Sequence, residues 1–282
     1  EVTILALERG AIDFVTKPTN ISEAKGEDFK KKLLDTLNAV LSSRLLARTS
    51  RASTRTSTTS ATPASRTAST TKESLNGSSS PAKANVAANF RRLKATGKNK
   101  IIALASSTGG PKALQSVIPY LPANLDAPMV LVQHMPAGFT KSMADRLNEV
   151  SEIAVKEAED GDKLEKGHIY VAPGGQHMEV VKCPDGSHKI ALNNMPAIGG
   201  LRPCANITYD SLSKSGFDEI VCVVLTGMGA DGTNGILSLG QHKPIHVISQ
   251  NAETCVVYGM PKAIEESGVV DEVVPLEKVA ET

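Results

Sequence analysis

The sequence predicts an α/β fold built on a doubly wound, mostly parallel sheet with one antiparallel hairpin. From Lys98 onward, short apolar runs alternate with segments of helical spacing. The runs are apolar on both faces, which is typical of strands that helices cover on two sides. A hairpin signal at Pro184-Asp185-Gly186 breaks the parallel pattern. We therefore expect a Rossmann-like, three-layer arrangement.

The apolar runs locate the strands of this sheet in chain order. The predicted strands cover 101–105, 129–133, 168–172, 219–226, 244–249 and 269–274, and the hairpin strands cover 178–183 and 188–192. A helix is predicted to begin at Pro111, because proline suits the first helical position, and another covers 139–148. Ligands of such sheets bind outside the carboxyl ends of the strands, so the residues that follow each strand are the ones to examine.

The first strand leads into a sharp turn, and the segment Ile101 to Lys112 reads IIALASSTGGPK. A strand, a tight turn and a helix in this order lift one hydroxyl out of the sheet edge. Ser107 has Ala105 two residues before it and Gly109 two residues after it, and small residues are what a tight elbow requires. The pattern resembles a nucleophile elbow whose first glycine is replaced.

Other interpretations of this turn remain open at this point. Gly-rich turns between a strand and a helix also bind phosphate, or only reverse the chain. The spacing of the P-loop motif is missing, and so is that of the dinucleotide-binding motif, which disfavours a phosphate site. The partners of Ser107 must therefore decide between these interpretations.

Composition limits the function classes. The chain has 282 residues, 40% of them hydrophobic and 3% aromatic, with a net charge of +1, so its core is aliphatic and global attraction to nucleic acid is not expected. No run of residues is long and apolar enough to span a membrane, and no secretion signal begins the chain. Four cysteines without a C-x-x-C pair argue against a zinc site and fit a reducing cytoplasm. We predict no metal and no cofactor.

The first 41 residues form a unit of their own in this interpretation. A helix is predicted to end at Gly10, a strand covers 11–16, and Lys17-Pro18 closes it. Apolar residues from Phe29 to Leu41 recur at helical spacing. This pattern resembles the last part of a response-regulator receiver domain, so we divide the chain into a receiver remnant (1–41), a linker (42–97) and a catalytic domain (98–282). The amphipathic helix would lack the receiver sheet, so we expect it to be mobile or docked elsewhere.

The linker is rich in serine and threonine and is locally basic. Such a composition cannot bury enough apolar surface to fold. A solvated tether is the simpler interpretation, and an arm that binds nucleic acid is the alternative. Aromatic residues do not alternate with the arginines, so we predict no nucleic-acid partner.

Three side chains with complementary chemistry follow three of the predicted strands. Ser107 follows the first strand, His134 the second, and Asp231 lies in GMGADG after the strand over 219–226. A serine hydroxyl needs a base to take its proton, and a carboxylate that holds the imidazole completes a triad. The order Ser, His, Asp differs from that of the α/β-hydrolases, but a triad is defined by geometry. The Thr108 N–H group is the candidate oxyanion donor.

Each of these assignments has competitors in the sequence. Ser106 competes with Ser107, and Asp231 could be a turn former or an N-cap. The chain has six histidines, and His177 in APGGQHME is the strongest rival of His134. The remaining rivals are His168, His188, His242 and His246.

Five segments stand in order along the catalytic part: ASSTGGP, QHMPAGFTKSMADRLN, VKEAEDGDKLEKGHIYVAPGGQHME, LTGMGADGTNG and QNAETCVVYGMPKAI. Together they resemble the bacterial chemotaxis methylesterase family CheB over essentially all of 98–274. The resemblance implies Ser107 as nucleophile, His134 as base and Asp231 as the residue that orients it. The segment RPCANITY departs from the family pattern, which tends to have serine and aspartate where this chain has Cys204 and Asn206. By this resemblance, the departure concerns substrate contacts or local packing and not the triad.

The resemblance also implies an activity and its partners. The expected reaction is demethylation of glutamate methyl esters on chemoreceptor helices, with deamidation of glutamine as a related reaction. The expected partners are methyl-accepting chemotaxis receptors and, for the full-length protein, a phosphodonor kinase. The receiver covers the active site in this family, and since most of it is absent from this sequence we expect constitutive activity. A non-enzymatic regulatory scaffold of the same fold is the alternative.

Overall fold

The computed structural model describes residues 2–18, 20–27, 29–31, 33–38, 40–41 and 99–282. The predicted linker over 42–97 lies outside these residues. Nine strands and seven named helices are present in the described part, and none of these helices has the length and apolar character needed to cross a bilayer. The helices are α1 (Val2–Glu8), α2 (Ile21–Lys25), α3 (Gly110–Gln115), α4 (Phe139–Val150), α5 (Ala205–Ser211), α6 (Thr233–Gly240) and α7 (Met260–Glu266).

Seven of the strands form one parallel sheet in the order β3-β4-β2-β1-β7-β8-β9. The other two, β5 and β6, form the predicted antiparallel hairpin as a separate pair. The strands are β1 (Lys100–Ser106), β2 (Met129–Gln133), β3 (Ala154–Glu157), β4 (His168–Val171), β5 (His177–Lys182), β6 (His188–Asn193), β7 (Glu219–Val224), β8 (Ile245–Gln250) and β9 (Glu272–Val274). The predicted fold class is confirmed.

The large sheet has a hydrophobic core on each face. Successive side chains of a strand point to opposite faces, and β1 follows this rule. Ala103 and Ala105 belong to one core together with Tyr209 of α5, whereas Leu104 belongs to the other core together with Leu114 of α3. Burial on both faces explains why β1, β2 and β7 are recognisable as apolar runs.

The sheet order puts the proposed site residues at one edge. β1 lies between β2 and β7, so the residues that follow these three strands are neighbours. The register pairs Ser106 with Gln133, which makes Ser107 and His134 the next residues along two adjacent strands. Adjacent strands lie about 4.8 Å apart. The topology therefore gathers residues that are far apart in the sequence.

The N-terminal segment differs from the prediction in one respect. The helix predicted to end near Gly10 is confirmed as α1, and Gly10 follows it with a φ of 109°. The strand predicted over 11–16 is wrong, because these residues form no ladder with any other described residue. A strand needs a partner, and none of the strands in the described ranges pairs with the segment.

The N-terminal segment packs on the catalytic part. Ile4 and Leu7 of α1 are 4% and 2% exposed and belong to the same core as Leu114. The Phe14 ring lies 4.6 Å from the Phe139 ring, measured between centroids. The helical residues between 27 and 41 instead leave an apolar stripe exposed, which includes Leu34 and Leu41 at 58% each. The first helix therefore contributes to the core that contains Leu114, whereas the described leucines of the later helical residues stay exposed.

Candidate active site

Ser107 lies at the tip of the turn that joins β1 to α3. Its N–H group donates to the Thr226 carbonyl at 3.0 Å, which fixes the turn to the end of the neighbouring strand. Gly109 has a φ of 79°, and a Cβ there would come 2.6 Å from the Val256 Cβ. Both the backbone conformation and the available space therefore require glycine at this position. The predicted order of strand, sharp turn and helix is confirmed.

Ser106, the rival nucleophile, has a different place in the structure. It is fully buried, and its hydroxyl donates to Gln133 Oε1 at 2.7 Å. The amide nitrogen of Gln133 donates to the Ser107 carbonyl at 2.9 Å. The Ser106 hydroxyl is thus directed into the sheet. Through Gln133 it supports the backbone of Ser107.

His134 and Asp231 are joined by a hydrogen bond of 2.7 Å between Nε2 and Oδ2. Their side chains are 7% and 4% exposed. The other ring nitrogen, His134 Nδ1, is buried and has no hydrogen-bond partner among the described residues. The backbone N–H group of His134 donates to the Ser106 carbonyl at 3.2 Å, so the backbone of His134 is fixed to the strand that leads to Ser107.

The state of Asp231 determines which nitrogen of His134 is basic. Burial by itself would raise the pKa of Asp231, but hydrogen bonds and charge interaction with His134, together with the Ala205 N–H group and the Cys204 thiol, outweigh burial and lower the pKa to about 2. An ionised carboxylate only accepts hydrogen bonds, so Nε2 carries the proton. In neutral imidazole the lone pair is then on Nδ1.

Asp231 accepts hydrogen bonds from several groups besides His134. Oδ2 accepts from the Ala205 N–H group at 2.6 Å, and Oδ1 accepts from the N–H groups of Asn206 at 3.0 Å and Gly232 at 2.9 Å. The Cys204 thiol lies 3.1 Å from Oδ1. The start of α5 therefore surrounds the carboxylate, and the departure at Cys204 and Asn206 lies beside a proposed catalytic residue.

The alternative of an N-cap role for Asp231 is answered by Asn206. The side-chain oxygen of Asn206 accepts from the N–H groups of Gly232 at 3.1 Å and Gly235 at 2.7 Å, at the start of α6. This is the bonding of a helix N-cap, supplied here by another segment. The start of α6 is therefore capped by Asn206, and Oδ2 of Asp231 is bonded to His134 instead.

None of the other described histidines bonds to Asp231. His177 is fully buried, and its Nε2 contacts the Pro196 carbonyl at 3.2 Å. His188 stacks on Phe217 and accepts from the Gly216 N–H group. The ring nitrogens of the remaining three contact the Lys166 carbonyl, the Ser238 carbonyl and Glu272, for His168, His242 and His246 respectively.

The structure does not join all three proposed residues by hydrogen bonds. No hydrogen bond links the Ser107 hydroxyl to His134, although strand register makes the two residues neighbours. Such bonds are often long in the absence of substrate. In the described part of the chain, no backbone hydrogen bond uses the Thr108 N–H group. A donor beside Ser107 is therefore available to an oxyanion.

One contact at the site was not expected from the sequence. The Thr108 hydroxyl donates to Asp13 Oδ2 at 2.7 Å, so the N-terminal segment reaches the residue that follows Ser107. Sequence reasoning also missed Gln133 as the residue that holds the elbow. A polar residue at the end of an apolar strand was the available signal for Gln133.

Comparisons with known proteins agree with this geometry. Residues 102–282 match the family model described as CheB methylesterase. The protein-glutamate methylesterase/protein-glutamine glutaminase 1 of Syntrophomonas wolfei is 38% identical over 284 residues, covering 100% of this chain and 73% of that protein. The relative of the same description from Pyrococcus abyssi is 39% identical over 282 residues, covering 100% of this chain and 68% of that protein.

A solved structure is also similar. The crystal structure of the Thermotoga maritima CheB methylesterase catalytic domain matches with a TM-score of 0.62 and 44% sequence identity. The match covers 65% of this chain and 96% of that domain. The similarity therefore includes nearly the whole of a catalytic domain.

Proposed function

Because this chain belongs to the CheB methylesterase family, we propose that Ser107, His134 and Asp231 carry out its hydrolysis of glutamate methyl esters. The chain is a protein-glutamate methylesterase, a hydrolase of bacterial chemotaxis. The observation that supports the three roles is the 2.7 Å bond from His134 to Asp231, in a histidine whose second ring nitrogen has no partner among the described residues and which strand register places next to Ser107.

The proposed reaction begins at the ester carbonyl of a methylated glutamate. The Ser107 oxygen attacks the carbonyl carbon, and its proton passes to His134 Nδ1. The tetrahedral oxyanion accepts a hydrogen bond from the Thr108 N–H group. When the ester bond breaks, His134 returns the proton and methanol leaves, and the acyl group remains on Ser107.

Water completes the proposed cycle. His134 takes a proton from water, the hydroxide oxygen attacks the acyl carbon, and Ser107 recovers its proton as the bond to it breaks. The products are a glutamate carboxylate, methanol and a released proton. Asp231 stays ionised throughout, since its pKa is lowered to about 2, and it stabilises the imidazolium that forms in each half of the reaction.

We propose that the substrate is the methylated helices of methyl-accepting chemotaxis receptors. The protein would bind them on the cytoplasmic side of the membrane. For the full-length protein, we propose the kinase that supplies phosphoryl groups as a further partner. The wild-type chain is expected to release methanol from receptors carrying labelled methyl esters. Absence of release from a receptor that a known family member demethylates would contradict the proposed substrate.

Deamidation is a second reaction that the same site supports. A glutamine side chain offers the same carbonyl to Ser107, and ammonia replaces methanol as the leaving group. The related proteins are described as glutaminases as well as methylesterases. We propose both activities, and release of ammonia from a receptor that carries glutamine at the modified positions tests the second.

Gly227→Ala is expected to lower the turnover number by roughly 10²-fold, because it displaces the nucleophile. A Cβ on Gly227 would lie 2.8 Å from the Ser107 Cβ and would also clash with the Met260 sulfur. A displacement of about 1 Å at a reacting atom costs about this much in rate. Methanol release measures the effect, and thermal unfolding shows whether the variant is folded. Unchanged turnover in a folded variant would mean that the nucleophile tolerates the shift.

Asp13→Asn is expected to raise the turnover number by a factor of about two to five, because it removes a negative charge beside the forming oxyanion. Asp13 contacts the Thr108 hydroxyl, and the Thr108 N–H group is the proposed oxyanion donor. Asparagine retains an oxygen that can accept the hydroxyl hydrogen bond. The rates of methanol release by wild type and Asp13→Asn are compared at low ionic strength. Equal rates would show that the contact does not restrain activity, and constitutive activity stays our expectation for the chain as given.

A further inference from the structure

Cys204 lies directly before α5, beside the carboxylate of Asp231. It is 1% exposed and has extended backbone angles, with φ −121° and ψ 123°. Its sulfur lies 3.1 Å from Asp231 Oδ1. None of the steps proposed above uses this side chain, so its contact with the carboxylate requires an explanation of its own.

The thiol is a donor in this contact. Burial raises the pKa of Cys204 to about 12, and the charge of Asp231 acts in the same direction. The thiol therefore keeps its proton at neutral pH. Because the pKa of Asp231 is lowered to about 2, the carboxylate is the acceptor. A thiol is a weak donor, but an ionised acceptor strengthens the bond.

The positions of the donors decide what the thiol contributes. His134 and the Ala205 N–H group bond to Oδ2, whereas Cys204, Asn206 and Gly232 bond to Oδ1. If the carboxylate rotated about its bond to Cβ, Oδ2 would leave His134. Donors on Oδ1 oppose this rotation, and Cys204 is the one among them that contributes a side chain.

We propose that Cys204 is a positioning residue for the esterase reaction, whose thiol holds Asp231 Oδ1 so that Oδ2 stays on His134. The proposal rests on the roles assigned above to Ser107, His134 and Asp231. The thiol touches neither the substrate nor the nucleophile and acts only through Asp231. The titratable groups near the carboxylate are His134, Cys204 and Tyr209, whose hydroxyl donates to the carbonyls of Ala103 and Val223.

The chain offers a matched control for the loss of a buried sulfur. Cys222 is fully buried in β7, and no hydrogen bond to Asp231 is formed by it in the described part of the chain. Cys222→Ala removes the same atom as Cys204→Ala and leaves a cavity of similar origin. A difference between the two variants therefore reports the bond to Asp231 rather than the loss of packing.

Cys204→Ala is expected to lower kcat by about tenfold with KM unchanged, since a hydrogen bond to an ionised group is lost. The acid limb of the kcat/KM profile is expected to move to lower pH, because a carboxylate that can rotate away from His134 stabilises its imidazolium less. Cys204→Ser keeps a donor and is expected to stay within about threefold of wild type. Cys222→Ala is expected to keep wild-type kcat and an unshifted acid limb.

Two measurements allow the role of Cys204 and the identity of the substrate to be tested separately. Methanol release reports the whole reaction, and labelling by a fluorophosphonate reports activation of Ser107 without any receptor. A wild-type protein that is labelled but releases no methanol would contradict the substrate and leave the Cys204 comparison valid. Equal labelling rates and acid limbs for Cys204→Ala and Cys222→Ala would overturn the proposal. If Cys204→Ala does not fold, Cys204→Val, which fills the space without a donor, takes its place in the same comparison.

Discussion

Ser107→Ala is expected to lower methanol release from methylated receptors by roughly 10³-fold or more, because the neighbouring hydroxyls of Ser106 and Thr108 donate to Gln133 and Asp13 and do not replace it. The substitution removes the oxygen that would form the acyl-enzyme and leaves the turn intact, since the Ser107 N–H group still donates to the Thr226 carbonyl. Alanine also suits the restricted space beside Gly227. The variant is therefore expected to fold and bind substrate without turning it over.

Ser106→Ala is the matched control for this prediction. It deletes the neighbouring hydroxyl, which donates to Gln133 Oε1 in the interior. The cost falls on stability, at about 1 kcal/mol for one hydrogen bond, and on activity only through the position of Ser107. A fluorophosphonate probe is expected to label Ser106→Ala and not Ser107→Ala. The reverse pattern would make Ser106 the nucleophile, and full activity of Ser107→Ala would favour the regulatory scaffold.

The central strands could be predicted because burial on both faces leaves a continuous apolar run. The strand over 129–133 was predicted with the bounds that β2 has. The edge strand β3 was missed, because AVKE is short and half polar and resembles a loop. The strand predicted over 269–274 forms only as β9. The local signal therefore weakens toward the edges of the sheet, where solvent replaces one packing partner.

The N-terminal segment shows a different limit of sequence reasoning. Residues 11–16 have the composition of a strand but form none, since pairing is a tertiary event. The conformation of these residues is instead accompanied by contacts with the rest of the described chain, such as Phe14 on Phe139 and Asp13 on Thr108. Nothing within the segment specifies that either contact should form.

The site was predictable at the level of residue types and strand ends. Parallel strands with short turns bring Ser107, His134 and Asp231 to one edge, and this follows from the fold class. The groups that bond to the Asp231 carboxylate did not follow from it, because Cys204 and Asn206 lie at the start of α5, which follows the hairpin and not a strand of the parallel sheet. The ring nitrogen that faces Asp231 could not be inferred either, since it depends on the rotamer of His134.

Asp231→Asn is expected to lower kcat by roughly 10³-fold to 10⁴-fold, because the imidazole loses both its tautomer and its counter-charge. An asparagine at this position would also direct its NH₂ group, a donor, at groups that donate to the carboxylate in the wild type. One orientation directs it at His134 and the Ala205 N–H group, and the other directs it at Cys204, Asn206 and Gly232. Either orientation leaves buried donors without an acceptor, so stability falls together with activity.

The pH dependence of the stability lost in Asp231→Asn separates the effect of removing the charge from the effect of changing the shape of the side chain. The pKa of Asp231 is lowered to about 2 from an ordinary 3.8, so the ionised carboxylate stabilises the fold fully above about pH 4. This contribution, about 2 kcal/mol, is lost as the pH falls through 2. The difference in unfolding free energy between wild type and Asp231→Asn is expected to shrink over the same range.

Asp210→Asn provides the control, since Asp210 is an exposed carboxylate of α5 whose Oδ1 accepts from the Ser238 hydroxyl. The same change of carboxylate to amide is expected to leave kcat within about twofold and to change the unfolding free energy by no more than about 0.5 kcal/mol. Denaturant titrations of the three proteins between pH 2 and 7 measure the difference. A constant difference for Asp231→Asn across that range would show that the carboxylate is not held ionised by its donors, and the assignment of Nδ1 as the base would lose its support.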